Sequence, residues 1–369
     1  MRSFLRQEGW LLVVVHLVWL GTSAVRAGNM PEGFVSKDLL EHAGLTLVWQ
    51  NPLPVKMGEQ FEMMTLLDKR LYVRSDRNYT WSIDANDGRI IFSRSVAPRG
   101  FPILGWTAFE NRLICVIDNQ LSELDINTGL PQRVSDLELS IVAPPVRNSR
   151  FFYIGAADRR LHAFRARDMV RLFRVAAEND SLVTTVLADE QTVVFGTDAG
   201  NLIAVMADAP RKLWEFKAVE GIAGPVVQDG NSFFFASKDT NVYRVDAVEP
   251  TKAALVWKYQ AEAVLDCAPR VTGDTVYQYA TGRGLTAIDK QSGKMLWSLP
   301  EGVDLLAQAA GKAYVVTKFK TLMVMDNATG RKLYWVNFEA IAKHAANTVD
   351  SRIYIADTQG RITCLAPSR

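Results

Sequence analysis

The sequence predicts an all-β protein, an eight-bladed β-propeller of four-stranded antiparallel blades. A short motif returns eight times, at intervals of 41, 40, 41, 40, 43, 37 and 40 residues. A repeat of this length that is made of short strands forms one supersecondary unit, so eight copies predict eight blades. The strand-end column of the motif holds Asp84, Asp125, Arg165, Met206, Asp246, Asp289, Asp326 and Ala366, and the motif glycines are Gly88, Gly129, Gly293 and Gly330.

Within each repeat, four short apolar runs are separated by turn residues. In the fifth repeat the runs are residues 224–228, 232–237, 241–246 and 254–259. Asp239 lies between the second and third runs, and similar Asp, Asn and Gly clusters recur in other repeats. Such clusters between β-branched and aromatic runs are typical of hairpin turns. We therefore expect antiparallel neighbours rather than calcium loops, which need a denser alternation of oxygen ligands.

An aromatic side chain occupies a fixed place in the predicted fourth strand of most repeats. The column holds Phe92, Phe173, Trp214, Trp257, Trp297 and Tyr334, with Trp257 displaced by a short insertion. Large rings at the same place in successive blades bury area between them. We expect these rings to dock each blade against its neighbour.

The two ends of the chain are expected to close the ring. The last repeat has predicted strands near residues 345–349, 352–356 and 361–364 but no fourth strand. Trp49 fits the aromatic column without having a blade of its own. Residues 45–50 should therefore form the outer strand of blade eight, and this pairing removes the open edge of the ring.

The N-terminal residues 1–27 are typical of a secretory signal peptide. Arg2 and Arg6 precede an apolar run over residues 10–20, and residues 25–27 offer a cleavage site. The apolar run is shorter than the roughly twenty residues that span a bilayer, so we expect no membrane anchor after cleavage. Without this segment the chain, whose formal charge is +2, becomes neutral.

The remaining chain divides into residues 28–44, which precede the ring, and the propeller at residues 45–369. Ser36 can cap a helix, Leu39 and Leu40 give it an apolar side, and Gly44 can end it. We expect a short helix packed on the propeller, with a tether as the alternative.

The sequence contains no catalytic or metal-binding motif. The odd number of cysteines argues against a disulfide framework, and the histidines beyond residue 27 lack the paired spacing of a zinc site. These residues are Cys115, Cys267, Cys364, His42, His162 and His344. No Gly-x-Ser-x-Gly elbow occurs either. We expect no catalytic residue, no metal and no cofactor, and no nucleic-acid partner, because a basic groove interleaved with aromatic residues is missing.

One segment departs from the neutral background and is a candidate basic interaction patch. It contains Arg147, Arg150, Arg159, Arg160, Arg165, Arg167, Arg171 and Arg174. Only Asp158 and Asp168 oppose them there. Such a patch could face an acidic partner, anionic lipid or a carboxylate-rich polymer. The alternative is that strand alternation sends these side chains to different surfaces, where they are merely solvated.

The best-preserved motif, residues 287–297 with the sequence Ala-Ile-Asp-Lys-Gln-Ser-Gly-Lys-Met-Leu-Trp, resembles the tryptophan-docking repeat of the pyrroloquinoline-quinone-type (BamB-like) eight-bladed propellers. The resemblance covers residues 45–369, although blades three and four replace the Asp and Gly positions. The structural repeat residues are Trp49, Asp84, Gly88, Asp125, Gly129, Trp214, Asp246, Trp257, Asp289, Gly293, Trp297, Asp326 and Gly330.

The resemblance implies one of two function classes. Quinoprotein dehydrogenases of this family are longer and carry adjacent cysteines, a calcium site and a catalytic aspartate, whereas no two cysteines are adjacent here. The BamB-like branch fits the length better and implies an exported, non-enzymatic, monomeric scaffold that binds protein partners in envelope or outer-membrane protein assembly. A quinone- or small-ligand-binding propeller is the alternative. Members of the BamB-like branch are lipidated at a cysteine after the signal, but none precedes Cys115. We therefore expect a periplasmic or extracellular protein without a lipid anchor.

Overall fold

The computed structural model describes residues 35–177, 179–338 and 341–368. In this part of the chain, one short helix precedes eight four-stranded antiparallel sheets arranged as a propeller. The predicted fold class is confirmed. The expected signal segment, residues 1–27, lies outside the described residues. Among those described, no helix has the length and apolar character needed to cross a membrane.

The elements follow one another in chain order as follows. The helix α1 (Lys37–His42) and strand β1 (Leu45–Pro52) precede the first blade. Blade one contains β2 (Phe61–Leu67), β3 (Arg70–Ser75), β4 (Tyr79–Asp84) and β5 (Ile90–Ser95). Blade two contains β6 (Ile103–Phe109), β7 (Arg112–Ile117), β8 (Gln120–Asp125) and β9 (Pro131–Ser135). Blade three contains β10 (Val146–Arg147), β11 (Phe151–Gly155), β12 (Arg160–Arg165) and β13 (Arg171–Ala176). Blade four contains β14 (Val183–Ala188), β15 (Thr192–Thr197), β16 (Asn201–Met206) and β17 (Lys212–Lys217). Blade five contains β18 (Ile222–Asp229), β19 (Ser232–Ser237), β20 (Asn241–Glu249) and β21 (Lys252–Gln260). Blade six contains β22 (Arg270–Val271), β23 (Thr275–Ala280), β24 (Gly284–Asp289) and β25 (Met295–Leu299). Blade seven contains β26 (Gly302–Ala309), β27 (Lys312–Thr317), β28 (Thr321–Asp326) and β29 (Lys332–Asn337). Blade eight contains β30 (Ile341–Ala345), β31 (Ile353–Asp357) and β32 (Arg361–Pro367), followed in the sheet by β1.

The core of the protein lies between the blades. The middle strands are buried on both faces because each blade packs against two neighbours, which is why they are continuous apolar runs. In β19, for example, Phe233, Phe234 and Phe235 are all buried. Phe233 and Phe235 belong to a cluster with Trp214 of blade four, whereas Phe234 packs with Trp257 toward blade six.

The ring is closed by its two ends, as the sequence predicted. Strand β1 pairs antiparallel with β32, from Leu45 opposite Pro367 to Pro52 opposite Arg361. The N-terminal strand is thus the fourth strand of blade eight. Its Trp49 is buried.

One predicted strand in blade eight was placed wrongly. The first strand is Ile341–Ala345 rather than residues 345–349. A turn follows instead, because the Asn347 side chain accepts a hydrogen bond from Val349 N (3.0 Å) and donates one to Arg352 O (3.0 Å). Such side-chain bonds to the backbone favour turns over strands.

The helix α1 packs against β1 and β29, at the outer side of blades seven and eight. Its N-cap is Ser36, whose hydroxyl accepts a hydrogen bond from Leu39 N (3.4 Å). Leu40 is buried, and the His42 ring stacks on Tyr334 with the ring centres 6.0 Å apart.

The strands run between two faces of the ring, which we name by their loops. The motif face carries the turns between first and second strands and between third and fourth strands, including the motif turns at residues 84–88, 125–129, 289–293 and 326–330. The connecting face consists of residues 53–60, 76–78, 96–102, 118–119, 136–145, 156–159, 179–182, 198–200, 218–221, 238–240, 261–269, 281–283, 300–301, 318–320 and 358–360. First strands of neighbouring blades contact each other, as β2 does β30 and β14 does β18, so they surround the central channel.

Candidate interaction surfaces

Three of the docking tryptophans fasten one blade to the next through a hydrogen bond. Each donates its indole N–H to the carbonyl that follows the motif aspartate of the next blade. The pairs are Trp49 with Ala85 (3.1 Å), Trp257 with Lys290 (3.0 Å) and Trp297 with Asn327 (3.0 Å). The indole is therefore held by both packing and a polar contact.

The motif aspartates shape the turns that receive these rings. Asp326 Oδ1 accepts hydrogen bonds from Thr329 N (2.8 Å) and Thr329 Oγ1 (2.7 Å), which lower the pKa of the carboxyl. Asp125 accepts the corresponding two hydrogen bonds from Thr128, and Asp289 accepts them from Ser292. Asp84 accepts from Asn86 N (2.8 Å). These carboxylates therefore complete the turns that follow the third strands.

Asp246 and Trp214 differ from the other motif residues. Asp246 pairs with Arg244 (3.0 and 2.9 Å) instead of closing a turn. The blade-five hairpin lacks a motif glycine, and its strands β20 and β21 are each nine residues long. Trp214 packs on Phe233, but within the described chain its indole N–H donates no hydrogen bond. A cavity of about 450 Å³ lies beside it, walled by Ala247 and the rest of the hairpin.

The eight arginines of the basic segment are spread over three surfaces. Arg147, Arg150, Arg165 and Arg167 lie toward the motif face, Arg159 and Arg160 lie at the connecting face, and Arg171 and Arg174 are exposed on β13 at the rim. Several pair locally: Arg150 with Asp208 (3.9 Å), Arg160 with Asp158 (4.0 Å) and Arg165 with Asp168 (2.9 Å). Arg147 and Arg167 line one pocket together with arginines of blade two.

The first strands of blades six, seven and eight meet in a charged cluster beside the channel. Asp304 of β26 accepts two hydrogen bonds from Arg270 of β22 (3.0 and 2.9 Å) and contacts His344 Nε2 of β30 (3.1 Å). Burial alone would raise the pKa of Asp304, but the bonds from His344 and Arg270 outweigh it and lower the pKa to about 2. A cavity of about 220 Å³ with Cys267 in its wall adjoins them.

Sequence reasoning did not group these three residues. They are separated by 34 and 40 residues, which is close to one repeat. Their positions on successive first strands could therefore have been found by aligning the first strands of the repeats rather than the motif column. In the sequence, His344 lacks the paired spacing of a zinc ligand. Among the described residues, no group of three His, Cys, Asp or Glu side chains could hold a metal.

The connecting face presents a set of exposed apolar side chains on its loops. They are Met57 (96% exposed), Val219 (77%), Phe319 (67%), Val264 (61%), Phe101 (39%) and Val142 (37%). They belong to loops around much of the ring rather than to one blade. Apolar side chains scattered singly are common on protein surfaces, so these residues show only that the connecting face has apolar side chains available for contact.

Known proteins share this architecture. The family model described as "Outer membrane protein assembly factor BamB" matches residues 40–247 and 205–310. The chain belongs to this family. The crystal structure of BamB from Moraxella catarrhalis is similar, with a TM-score of 0.66 and 15% identity over 87% of this chain and 97% of that one. No curated protein sequence matches the chain.

Other solved propellers share the fold of this BamB-family chain. The computationally designed Ika8 protein has a TM-score of 0.64 and 14% identity over 85% of this chain and 98% of its own. Quinohemoprotein alcohol dehydrogenase from Comamonas testosteroni has a TM-score of 0.61 and 14% identity over 91% and 79%. At such identities the likeness concerns the fold alone.

The residues of this BamB-family chain do not fit the quinone site that the dehydrogenase branch implied. The three cysteines are free thiols on different blades. Cys115 and Cys364 are buried, and burial raises the pKa of each thiol to about 12. Such thiols are unreactive structural residues. Cys267, beside the channel, has no partner cysteine among the described residues and its pKa is also raised by burial.

Proposed function

We propose that this protein is an exported, non-enzymatic, monomeric scaffold that binds a protein partner through its connecting face during the assembly of outer-membrane proteins. Membership of the BamB family carries the proposal. The signal-like pattern of residues 1–27 supports export to the periplasm.

The loops of the connecting face are held in fixed positions, which favours their use as a docking surface. Asn78 is buried, and its side-chain amide donates to the carbonyls of Pro98 (2.8 Å) and Phe101 (2.9 Å). Phe101 is thereby presented on an ordered loop. Order that exists before binding reduces the entropic cost of association.

The same holds for a connecting-face turn in blade seven. The turn that carries Phe319 is closed by a hydrogen bond from Lys320 N to Thr317 O (2.9 Å). It is also fixed to the next loop by a bond from Lys318 N to Glu301 O (2.8 Å). Apolar tips on such turns can bury area against a partner without first being ordered.

The test is affinity capture of the tagged mature protein from the native envelope, followed by mass spectrometry. We expect components of the outer-membrane protein assembly machinery to be recovered with it. The variant Met57→Ser/Val219→Ser/Phe319→Ser should lose them, because it removes three exposed apolar contacts without touching the core. The control Val134→Ser/Val349→Ser changes exposed apolar residues of the rim and the motif face. If only the control variant lost the assembly components, the interface would lie elsewhere on the protein. If even the unsubstituted protein recovered no assembly component, the proposal would be contradicted.

A second candidate is a small-ligand-binding propeller, favoured by the cavity of about 220 Å³ beside Arg270, Asp304 and His344. For pyrroloquinoline quinone we expect no binding, since no two cysteines are adjacent in the sequence and the described thiols form no disulfide. Titration with the quinone and calcium, read by absorbance and by dye-linked alcohol oxidation, is the measurement. Tight binding with turnover would contradict the non-enzymatic scaffold.

A further inference from the structure

A basic pocket opens on the motif face between blades two and three. Its volume is about 520 Å³, and its charged lining consists of Arg112, Arg133, Arg147, Arg167, Glu110 and Glu123. We call it the arginine pocket. Four guanidinium groups and two carboxylates give it a formal charge of +2.

A single buried carboxylate lies at the centre of the arginine pocket. The side chain of Glu123 is only 2% exposed. Its Oε1 accepts hydrogen bonds from Arg133, and its Oε2 lies 3.3 Å from Arg147 Nη1 and 3.5 Å from Arg112 Nε. One negative charge therefore faces three positive ones, so the pocket is pre-formed but not neutralised.

Arg147 is fixed in place by contacts that do not compensate its charge. Its guanidinium donates to the carbonyls of Asn148 (3.0 Å) and Ser149 (3.4 Å) and lies between the rings of Phe109 (4.3 Å) and Phe152 (4.8 Å). Burial lowers the pKa of Arg147, and Arg133 and Arg112 lower it further, against the opposing effect of Glu123 and Glu110. An additional anion in the pocket would offset this cost.

Two arginines at the mouth of the pocket keep donors for a ligand. The Arg112 side chain is 37% exposed and, among the described residues, makes no contact with a carboxylate other than the 3.5 Å one to Glu123. Arg167 is 75% exposed and has only the 3.5 Å contact with Asp168 as its ion pair in this part of the chain. Their remaining N–H groups are available to acceptor oxygens.

We propose that the arginine pocket binds a phosphate group. A phosphate monoester carries a charge of about −1.5 to −2 near neutral pH and three acceptor oxygens, which matches a formal charge of +2 distributed over several guanidinium groups. Arginine forks suit phosphate because they donate two parallel hydrogen bonds. The phosphate is either a free anion or the headgroup of an acidic phospholipid, and both present the same chemistry. This inference is independent of the scaffold role proposed above.

The experiment is isothermal titration of the mature protein with inorganic phosphate and with pyrophosphate, and sedimentation with vesicles of phosphatidylcholine containing phosphatidic acid. The variant Arg112→Gln/Arg167→Gln removes two donors and leaves the buried contacts of Glu123 with Arg133 and Arg147. The matched control, Arg171→Gln/Arg174→Gln, removes the same charge from exposed positions on β13. Circular dichroism checks that both variants fold.

We expect saturable binding that weakens by about tenfold or more in the pocket variant and is unchanged in the control, because charge-assisted hydrogen bonds are lost only in the former. Binding of inorganic phosphate and pyrophosphate would support a free anion, whereas binding of the vesicles alone would support a headgroup. Equal weakening in both variants would show a long-range effect of charge and overturn the proposal. Lack of binding in every arm would overturn it as well.

Discussion

The motif glycines occupy positions where a side chain would strike the ring of the preceding blade. Gly330 has φ of +69°, and a Cβ placed there would lie 2.4 Å from the Cβ of Trp297. Gly88, Gly129 and Gly293 meet Trp49, Phe92 and Trp257 in the same way, each at 2.6 Å. At each of these seams, the motif glycine of one blade therefore packs directly against the aromatic side chain of the preceding blade.

Gly330→Ala should therefore destabilise the protein by more than the backbone strain of a left-handed alanine alone. Gly311 is the matched control, since its φ is +73° but a Cβ there would meet nothing within 4 Å. Left-handed backbone costs an alanine about 1–2 kcal/mol, and overpacking adds about 1–3 kcal/mol. Urea unfolding should show the free energy of unfolding falling by about 1 kcal/mol in Gly311→Ala and by about 3 kcal/mol in Gly330→Ala. Equal losses would mean that the turn does not press on Trp297.

At this scale the sequence predicted which residues repeat but not which contacts they make. The docking of Trp297 could be anticipated because ring, aspartate and glycine all recur at fixed spacing. The arginine pocket could not, since Arg112, Glu123 and Arg133 belong to blade two and lie outside the arginine-rich segment that begins at Arg147. Strand pairing within blade two brings these three together, and packing of blade three against blade two adds Arg147 and Arg167.

Among the secondary-structure elements, the first strands are joined by charge rather than by apolar packing alone. Arg270 on β22 and His344 on β30 both bind Asp304 on β26. This carboxylate therefore connects three blades beside the channel. Removing one partner of such a part-buried cluster leaves the other charges uncompensated.

Asp304→Asn should reveal this link through the dependence of stability on pH. The folded-state pKa of about 2 lies below the ordinary value of 3.8, so the carboxylate stabilises the fold above about pH 4 and loses this effect as the pH falls toward 2. The shift corresponds to about 2 kcal/mol at neutral pH. Urea unfolding from pH 7 to pH 2 should show a variant that is less stable at pH 7 and loses less on acidification than the wild type. Asp68→Asn, on an exposed turn, is the control. If stability fell with pH in parallel in Asp304→Asn and the wild type, the role of Asp304 would be contradicted.

The elements best predicted from the sequence were the strands of the core, such as β19, because burial on both faces demands an unbroken apolar run. Two first strands, β10 and β22, are only two residues long. Each follows a proline, Pro145 or Pro269, which cannot donate to the ladder of a sheet. At two residues each, these strands are too short for a periodicity to mark where they begin or end.

For the molecule as a whole, three hydrogen bonds to a single carbonyl help to hold the seam that closes the ring. The carbonyl of Ala85 in blade one accepts from Trp49 (3.1 Å), Arg352 (2.9 Å) and Tyr354 (3.2 Å), all of blade eight. Blade eight, in which β1 pairs with β32, thus contacts blade one through both packing and hydrogen bonds.

Deleting residues 28–50 should open this seam, because it removes most of β1 together with Trp49. The exposed edge of β32 would then be free to pair with other chains, so we expect aggregation or a lowered melting temperature. Deleting residues 28–35 is the control, since it leaves Ser36, the cap of α1, in place. Calorimetry and light scattering on both proteins are the measurements. A longer deletion that stays monomeric and melts like the control would contradict closure by the two ends.

The lengthened hairpin of blade five has a consequence for how the ring opens. In a closed ring, the smallest opening is the separation of two blades at one seam, and it occurs most often where the contact is weakest. Beside Trp214 the seam has a cavity and lacks the indole hydrogen bond that Trp297 makes elsewhere. Amide protons of β17 should therefore exchange with deuterium sooner than those of β25, and hydrogen-exchange mass spectrometry of the native protein can compare them. Blades four and five would then separate more often than blades six and seven, so the ring would open unequally at two seams that carry the same docking residue.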